Sequence, residues 1–119
     1  MSPALRDQDI LEHIVRAAEK LMRFRATRSE ADFMGDEVVQ DAAIRNLEVI
    51  GEAVTKLTTE FKTAHADIPW GDIVGMRNRL IHGYMTVNLE IVWDTITTVV
   101  PPFLDRIRAA AREPHAPNR

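Results

Sequence analysis

The sequence predicts an all-α protein, an up-and-down bundle of about four to five helices with a kinked last helix. Three observations carry this expectation. Apolar residues recur every three to four positions in long stretches, the spacing that lines one face of an α-helix. Residues suited to capping helix starts, Ser2, Asp36 and Asn88, stand ahead of such stretches. No stretch alternates apolar and polar residues as a half-buried strand would.

Ser2-Pro3 opens the first helix, with serine as N-cap and proline in the first turn, where its missing N–H costs nothing. Leu5, Ile10, Leu11, Ile14, Val15, Ala18, Leu21 and Met22 form its apolar face, and it is expected to run to about Arg25. Ser29, with Asp32 three residues on, is a loose capping pattern that can open one turn before Gly35. Asp36 caps the second long helix. Its apolar stripe runs from Val38 and Val39 through Ala42, Ala43, Leu47, Ile50, Ala53, Val54 and Leu57 to Phe61. Gly51 interrupts that helix at a cost in propensity. The expected reason is close approach of a neighbouring helix.

Ile68-Pro69 breaks the pattern, because the residue before proline is pushed out of helical geometry. Trp70 to His82 is the next helix, with Gly83 as its C-cap. Asn88 caps the last one, whose apolar positions are Leu89, Val92, Trp93, Ile96, Val99, Val100, Phe103, Leu104 and Ile107. Pro101-Pro102 falls inside that pattern. Two lost N–H donors leave the carbonyls of Thr97 and Thr98 without helical partners, so a kink or a junction of two helices is expected there.

The 119 residues fit one domain, expected over residues 1–112, with a flexible tail at 113–119. A net charge of −3 argues against a general nucleic-acid coat and leaves room for a local basic site. The chain has no cysteine, which removes disulfides and thiolate metal sites and suits a cytoplasmic location. No apolar run approaches the ~20 residues that span a bilayer, so no membrane association is expected. His13, His65 and His115 share no metal-ligand spacing, and no metal is assigned.

One segment does not read as core or cap. Arg77, Asn78, Arg79 and His82 crowd the end of the third long helix. Asn78 and His82 are four residues apart and share a face, while Arg77 lies about 140° round from His82. A reach back by the long arginine, an opened last turn, or a group from a partner copy would each close that gap. Histidine can move a proton near neutral pH, and arginine offers a fixed charge and a forked donor that fits phosphate oxygens. These parts suffice for metal-free RNA cleavage, with histidine assisting attack by the 2′-hydroxyl and arginine stabilising the phosphoryl charge. Basic residues at a helix C-terminus also commonly do no more than complement the helix dipole, and on spacing alone that reading stands ahead. Glu48 and Glu52 share a helix face as a solvated pair, or as carboxylate partners for Arg77 or Arg79.

The wider pattern reverses that order. Arg77, four residues, His82, one residue, Tyr84 is similar to the motif of the HepT-like toxins, a branch of the HEPN superfamily. Arg45-Asn-Leu-Glu-Val-Ile-Gly-Glu-Ala53, Ile68-Pro-Trp70, Gly75-Met-Arg-Asn-Arg-Leu-Ile-His-Gly-Tyr84 and Leu89-Glu-Ile-Val-Trp93 resemble further family segments. The resemblance implies a HEPN-like bundle that forms a homodimer, with both copies lining one cleft. It implies an endoribonuclease toxin that needs no metal or other cofactor, with RNA as substrate. By position, Arg77 and His82 are the catalytic pair, with Asn78 and Arg79 as supporting, RNA-binding residues. Tyr84 matches the tyrosine that an MntA-like nucleotidyltransferase antitoxin modifies with AMP. The alternative from the same superfamily is a noncatalytic helical module that binds a nucleotide or substrate for a nucleotidyltransferase partner.

Overall fold

The computed structural model describes residues 3–82 and 87–113, with the side chains of residues 3–5 and 82 outside that description. Among the described residues all regular structure is helical, as the periodicity predicts. Helix α1 spans Pro3–Thr27, α2 Glu30–Met34, α3 Glu37–Lys56, α4 Thr59–Ala64, α5 Trp70–His82 and α6 Leu89–Asp94. A π-helical turn, Thr95–Val99, joins α6 to α7, Val100–Arg112. Helix α1 packs against α3 and α7, and α3 packs against α5. Ser2, Gly83 and the tail beyond Glu113, all assigned roles from sequence, lie outside the described residues.

The helix starts follow the capping chemistry. Asp36 accepts a hydrogen bond from the Val39 amide, and Asn88 accepts from the amides of Glu90 and Ile91. Ser29 and Asp32 make a reciprocal capping box on α2. Those bonds from the Ser29 backbone and side chain hold the Asp32 carboxyl below its ordinary value of 3.8. Buried Gln40 donates from Nε2 to the carbonyls of Phe33 and Met34, tying the corner between α2 and α3.

The core gathers Leu11, Ile14 and Leu21 of α1, Leu47, Ile50 and Val54 of α3, Ile96 of the π turn and Ile107 of α7. Phe33 of α2 is fully buried and lies against Trp93, with ring centroids 5.2 Å apart. Trp70 donates its indole N–H to the carbonyls of Lys62 and His65, so both tryptophans serve the interior. Val38 departs from expectation. It is 79% exposed, one position round the helix from buried Val39.

The sequence reading runs the second long helix to Phe61, whereas α3 ends at Lys56 and α4 begins afresh. The cause is tertiary. Asp7 of α1 is buried, and its carboxylate accepts from both the Thr58 amide and the Thr58 hydroxyl, at 2.9 and 2.6 Å. Thr58 Oγ1 in turn accepts from the Phe61 amide and caps α4. Leu57 and Phe61 still face the core, so the apolar pattern passes through a real break.

Pro101-Pro102 marks the expected junction, where α6 gives way to α7 through a π turn. The turn ahead of it widens to π geometry, with the Val100 amide bonded to the Thr95 carbonyl five residues back. Both prolines then occupy the first turn of α7, where proline is tolerated. Threonine hydroxyls add donors along this stretch: Thr95 to the Ile91 carbonyl, Thr97 to Trp93 and Thr98 to Asp94.

His65 terminates α4. It stacks on Phe61, its Nδ1 bonds the Phe61 carbonyl, and its Nε2 meets Glu113 Oε2 at 3.0 Å. Burial opposes the charged ring, but the bond to Phe61, the bond and charge of Glu113, and the charge of Asp67 outweigh it, so the pKa is raised above 6.5. A raised folded-state pKa means that folding favours the protonated ring. This stabilisation is therefore complete below about pH 6.5 and is lost as pH rises through the folded value. Urea unfolding at about pH 6 and about pH 8 should show the wild type losing more stability across that window than His65→Gln does. Parallel losses would remove His65 from the account.

Candidate functional site

Helix α5 carries the cluster singled out from sequence, and its distance from α3 decides what the cluster can do. A Cβ at Gly51 would overlap the Arg77 Cβ and lie 2.6 Å from its Cγ. The absent side chain is therefore what lets α5 seat Arg77 against α3, as the glycine in mid-helix implies. The same contact brings the neighbouring Glu52 within reach of the guanidinium.

Arg77 is held by two acceptors. Its Nη2 donates to Glu52 Oε2 at 2.5 Å, and its Nη1 donates to Asn78 Oδ1 at 2.8 Å. Glu52 also meets Lys56, with Oε1 and Nζ 3.6 Å apart. The Arg77 side chain is 25% exposed. Among the described residues its buried Nε has no hydrogen-bond partner, whereas both Nη nitrogens have one. Glu52 takes the partner role that the sequence left open, while Glu48 lines the same groove.

That groove, about 610 Å³, runs between α1, α3 and α5. Its walls include His13, Arg45, Glu48, Glu52, Lys56, Arg77 and Ile81. Arg45, Glu52 and Lys56 are spaced seven and four residues apart and so form one stripe along α3. His13 of α1, given no role in the site from sequence, stands on the opposite wall. Only the packing of α1 on α3 could reveal that.

Arg79 does not join Arg77. It lies two residues on, about 200° round the helix, and lines a second groove of about 560 Å³ with Asp72, Met76, Asn88, Ile91 and Val99. Asn78 stays with Arg77 through their hydrogen bond. The backbone of His82 closes α5, five residues and roughly 7.5 Å of rise beyond Arg77. The His82 side chain and all of Tyr84 lie outside the described residues.

No helix among the described residues is long and apolar enough to cross a membrane. Among those residues no three His, Asp or Glu side chains gather as a metal site would require.

Comparison with known proteins agrees with the family resemblance. Residues 14–110 match the model of the family described as HepT-like, ribonuclease HepT-like. A protein of Caldanaerobacter subterraneus subsp. tengcongensis, named as a candidate RNase, is 42% identical over 98 residues, covering 82% of this chain and 88% of its own. A Thermococcus cleftensis protein, named provisionally as ribonuclease HepT, is 38% identical over 94 residues, covering 79% and 86%. A Methanocaldococcus jannaschii protein, also named as a candidate RNase, is 34% identical over 105 residues, covering 88% and 84%. No solved structure matches the chain. With the family model spanning most of the sequence and these relatives aligned nearly end to end, the chain belongs to the HepT-like ribonuclease family.

Proposed function

We propose that this chain is an endoribonuclease that cleaves RNA without a metal, using Arg77 and His82. The observation that carries the reading is the Arg77 guanidinium, fixed by Glu52 and Asn78 on the wall of an open groove shortly before His82. His82 takes the proton of a ribose 2′-hydroxyl, the 2′-oxygen attacks the adjacent phosphorus, and the bond to the 5′-oxygen breaks. Arg77 stabilises the charge that builds on the phosphoryl oxygens. The leaving 5′-oxygen also needs a proton. A second copy across a homodimer cleft supplies another His82 for that step. Asn78 supports Arg77, and Arg79 meets RNA outside the Arg77 groove.

The family and the names of the relatives support an RNase of this kind. We further propose that the protein is the cytoplasmic toxin of a toxin–antitoxin pair. Its partner is an MntA-like nucleotidyltransferase that adds AMP to Tyr84. The added phosphate would repel RNA from the neighbouring site.

Purified protein should cut RNA in the presence of EDTA and leave 2′,3′-cyclic phosphate and 5′-hydroxyl ends. Coexpression with the nucleotidyltransferase should add one AMP to the peptide containing Tyr84 and abolish cutting. RNA that stays intact while the protein binds free nucleotide would instead favour the noncatalytic helical module.

A further inference from the structure

We infer that Glu52 is a positioning residue for the cleavage reaction, holding the Arg77 guanidinium in the orientation that meets the scissile phosphate. The inference rests on the ribonuclease reading for its kinetic arm and on geometry alone for its structural arm.

Three features of the contact carry it. Glu52 and Asn78 take one nitrogen each of the Arg77 Nη edge, so two acceptors set both the position and the plane of the guanidinium. Each Nη carries two N–H groups, so one hydrogen on each remains for a phosphate. The third feature is the buried Nε, which has no acceptor among the described residues. An unsatisfied buried donor disfavours this pose relative to any rotamer that brings Nε to water. The pose therefore depends on the bonds at the other end, and of those the bond to Glu52 alone is an ion pair. Asn78, on the same helix and next in sequence, moves with Arg77 and cannot anchor it to the rest of the fold. Glu52 can, because it sits on α3 across the Gly51 crossing.

Glu52 is equally placed to weaken binding. A carboxylate beside the phosphate site repels RNA, and Lys56 offsets that charge from 3.6 Å away. Position and charge can therefore be separated by two substitutions. Glu52→Gln keeps an oxygen that can accept from Arg77 and removes the charge. Glu52→Ala removes both.

The test compares full-length wild type, Glu52→Gln and Glu52→Ala in RNA cleavage and in NMR of nitrogen-15-labelled arginine side chains. Glu52→Ala should lower kcat by about 100-fold, the size expected from misplacing a catalytic group by an ångström, without weakening RNA binding, since the repelling charge is gone as well. Glu52→Gln should recover most of kcat and bind RNA more tightly than wild type. In NMR the Arg77 Nη signals of the wild type should show restricted rotation, with restriction lost in Glu52→Ala and kept in Glu52→Gln. Freely rotating Arg77 in the wild type would overturn the inference, as would unchanged kcat in a folded Glu52→Ala protein. A wild type that cuts no RNA defeats the ribonuclease reading instead, and the NMR comparison still decides whether Glu52 orients Arg77.

Discussion

Replacing His82 or Arg77 with alanine should leave a folded protein whose RNA cleavage falls by about 100- to 10,000-fold, the range associated with losing an acid–base or charge-stabilising group. The folded state should survive because Arg77 contributes little to the core. Its side chain lies at a groove wall, and its ion pair with Glu52 is partly exposed, a class of contact that contributes about 1 kcal/mol or less. Alanine also keeps the Cβ that packs over Gly51. Arg77→Lys should retain charge but lose the fork that holds Glu52 and Asn78 together, and should sit between wild type and alanine. The double variant should be scarcely slower than either single one, since the two groups act on one transition state. Single-turnover cleavage of a labelled RNA, read beside thermal melts, checks each point. Equal cleavage by wild type and both alanine variants would identify a contaminating nuclease and remove the assignment.

Gly51→Val should damage both stability and activity, through a different cause. Valine is attached to the α3 backbone where α5 is closest, and its Cβ would overlap the Cβ and Cγ of Arg77. Neither helix can yield by a side-chain rotation, so α3 and α5 must part. Overpacking of this kind costs about 1–3 kcal/mol, and parting the helices also carries Arg77 away from Glu52. Gly75→Ala is the matched control. A Cβ there would lie 3.6 Å from Arg79 Nη1, an ordinary contact, so the gain in helix propensity of up to about 1 kcal/mol should appear unopposed. The same class of substitution thus has opposite signs on two helices. Chemical denaturation of the two variants tests it, and a Gly51→Val protein as stable as Gly75→Ala would contradict the crossing described above.

Both expectations draw on how much of the molecule was readable in advance. The long helices and most of their starts were legible, because apolar spacing and capping bonds act over a few residues. The end of α3 was not. Leu57 and Phe61 continue its pattern, and the chain breaks there because a carboxylate 51 residues earlier binds Thr58. At the site, Gly51 and Glu52 could be suspected from a glycine in mid-helix and a carboxylate facing a basic cluster. Their shared target, Arg77, needed the α3–α5 crossing to be seen. His13 carried no local signal at all. Arg79 shows the converse, since it stands two residues from Arg77 in sequence and the helix turns it to another groove.

That last separation has a consequence for how the surface can be used. Helix α5 acts as a partition, with one arginine on each side and a different chamber beyond each. The chamber on the Arg79 side has walls that are largely aliphatic, from Leu47, Ile73, Met76, Val87, Ile91 and Val92. The chamber on the Arg77 side alternates basic and acidic groups. A molecule in the first meets aliphatic walls, with Arg79 and Asp72 as the charged groups. A molecule in the second meets Glu52 paired with Arg77 and Lys56, and Arg45 and Glu48 further along α3. Occupying one leaves the other open, so a ligand of the aliphatic chamber sits across α5 from Arg77.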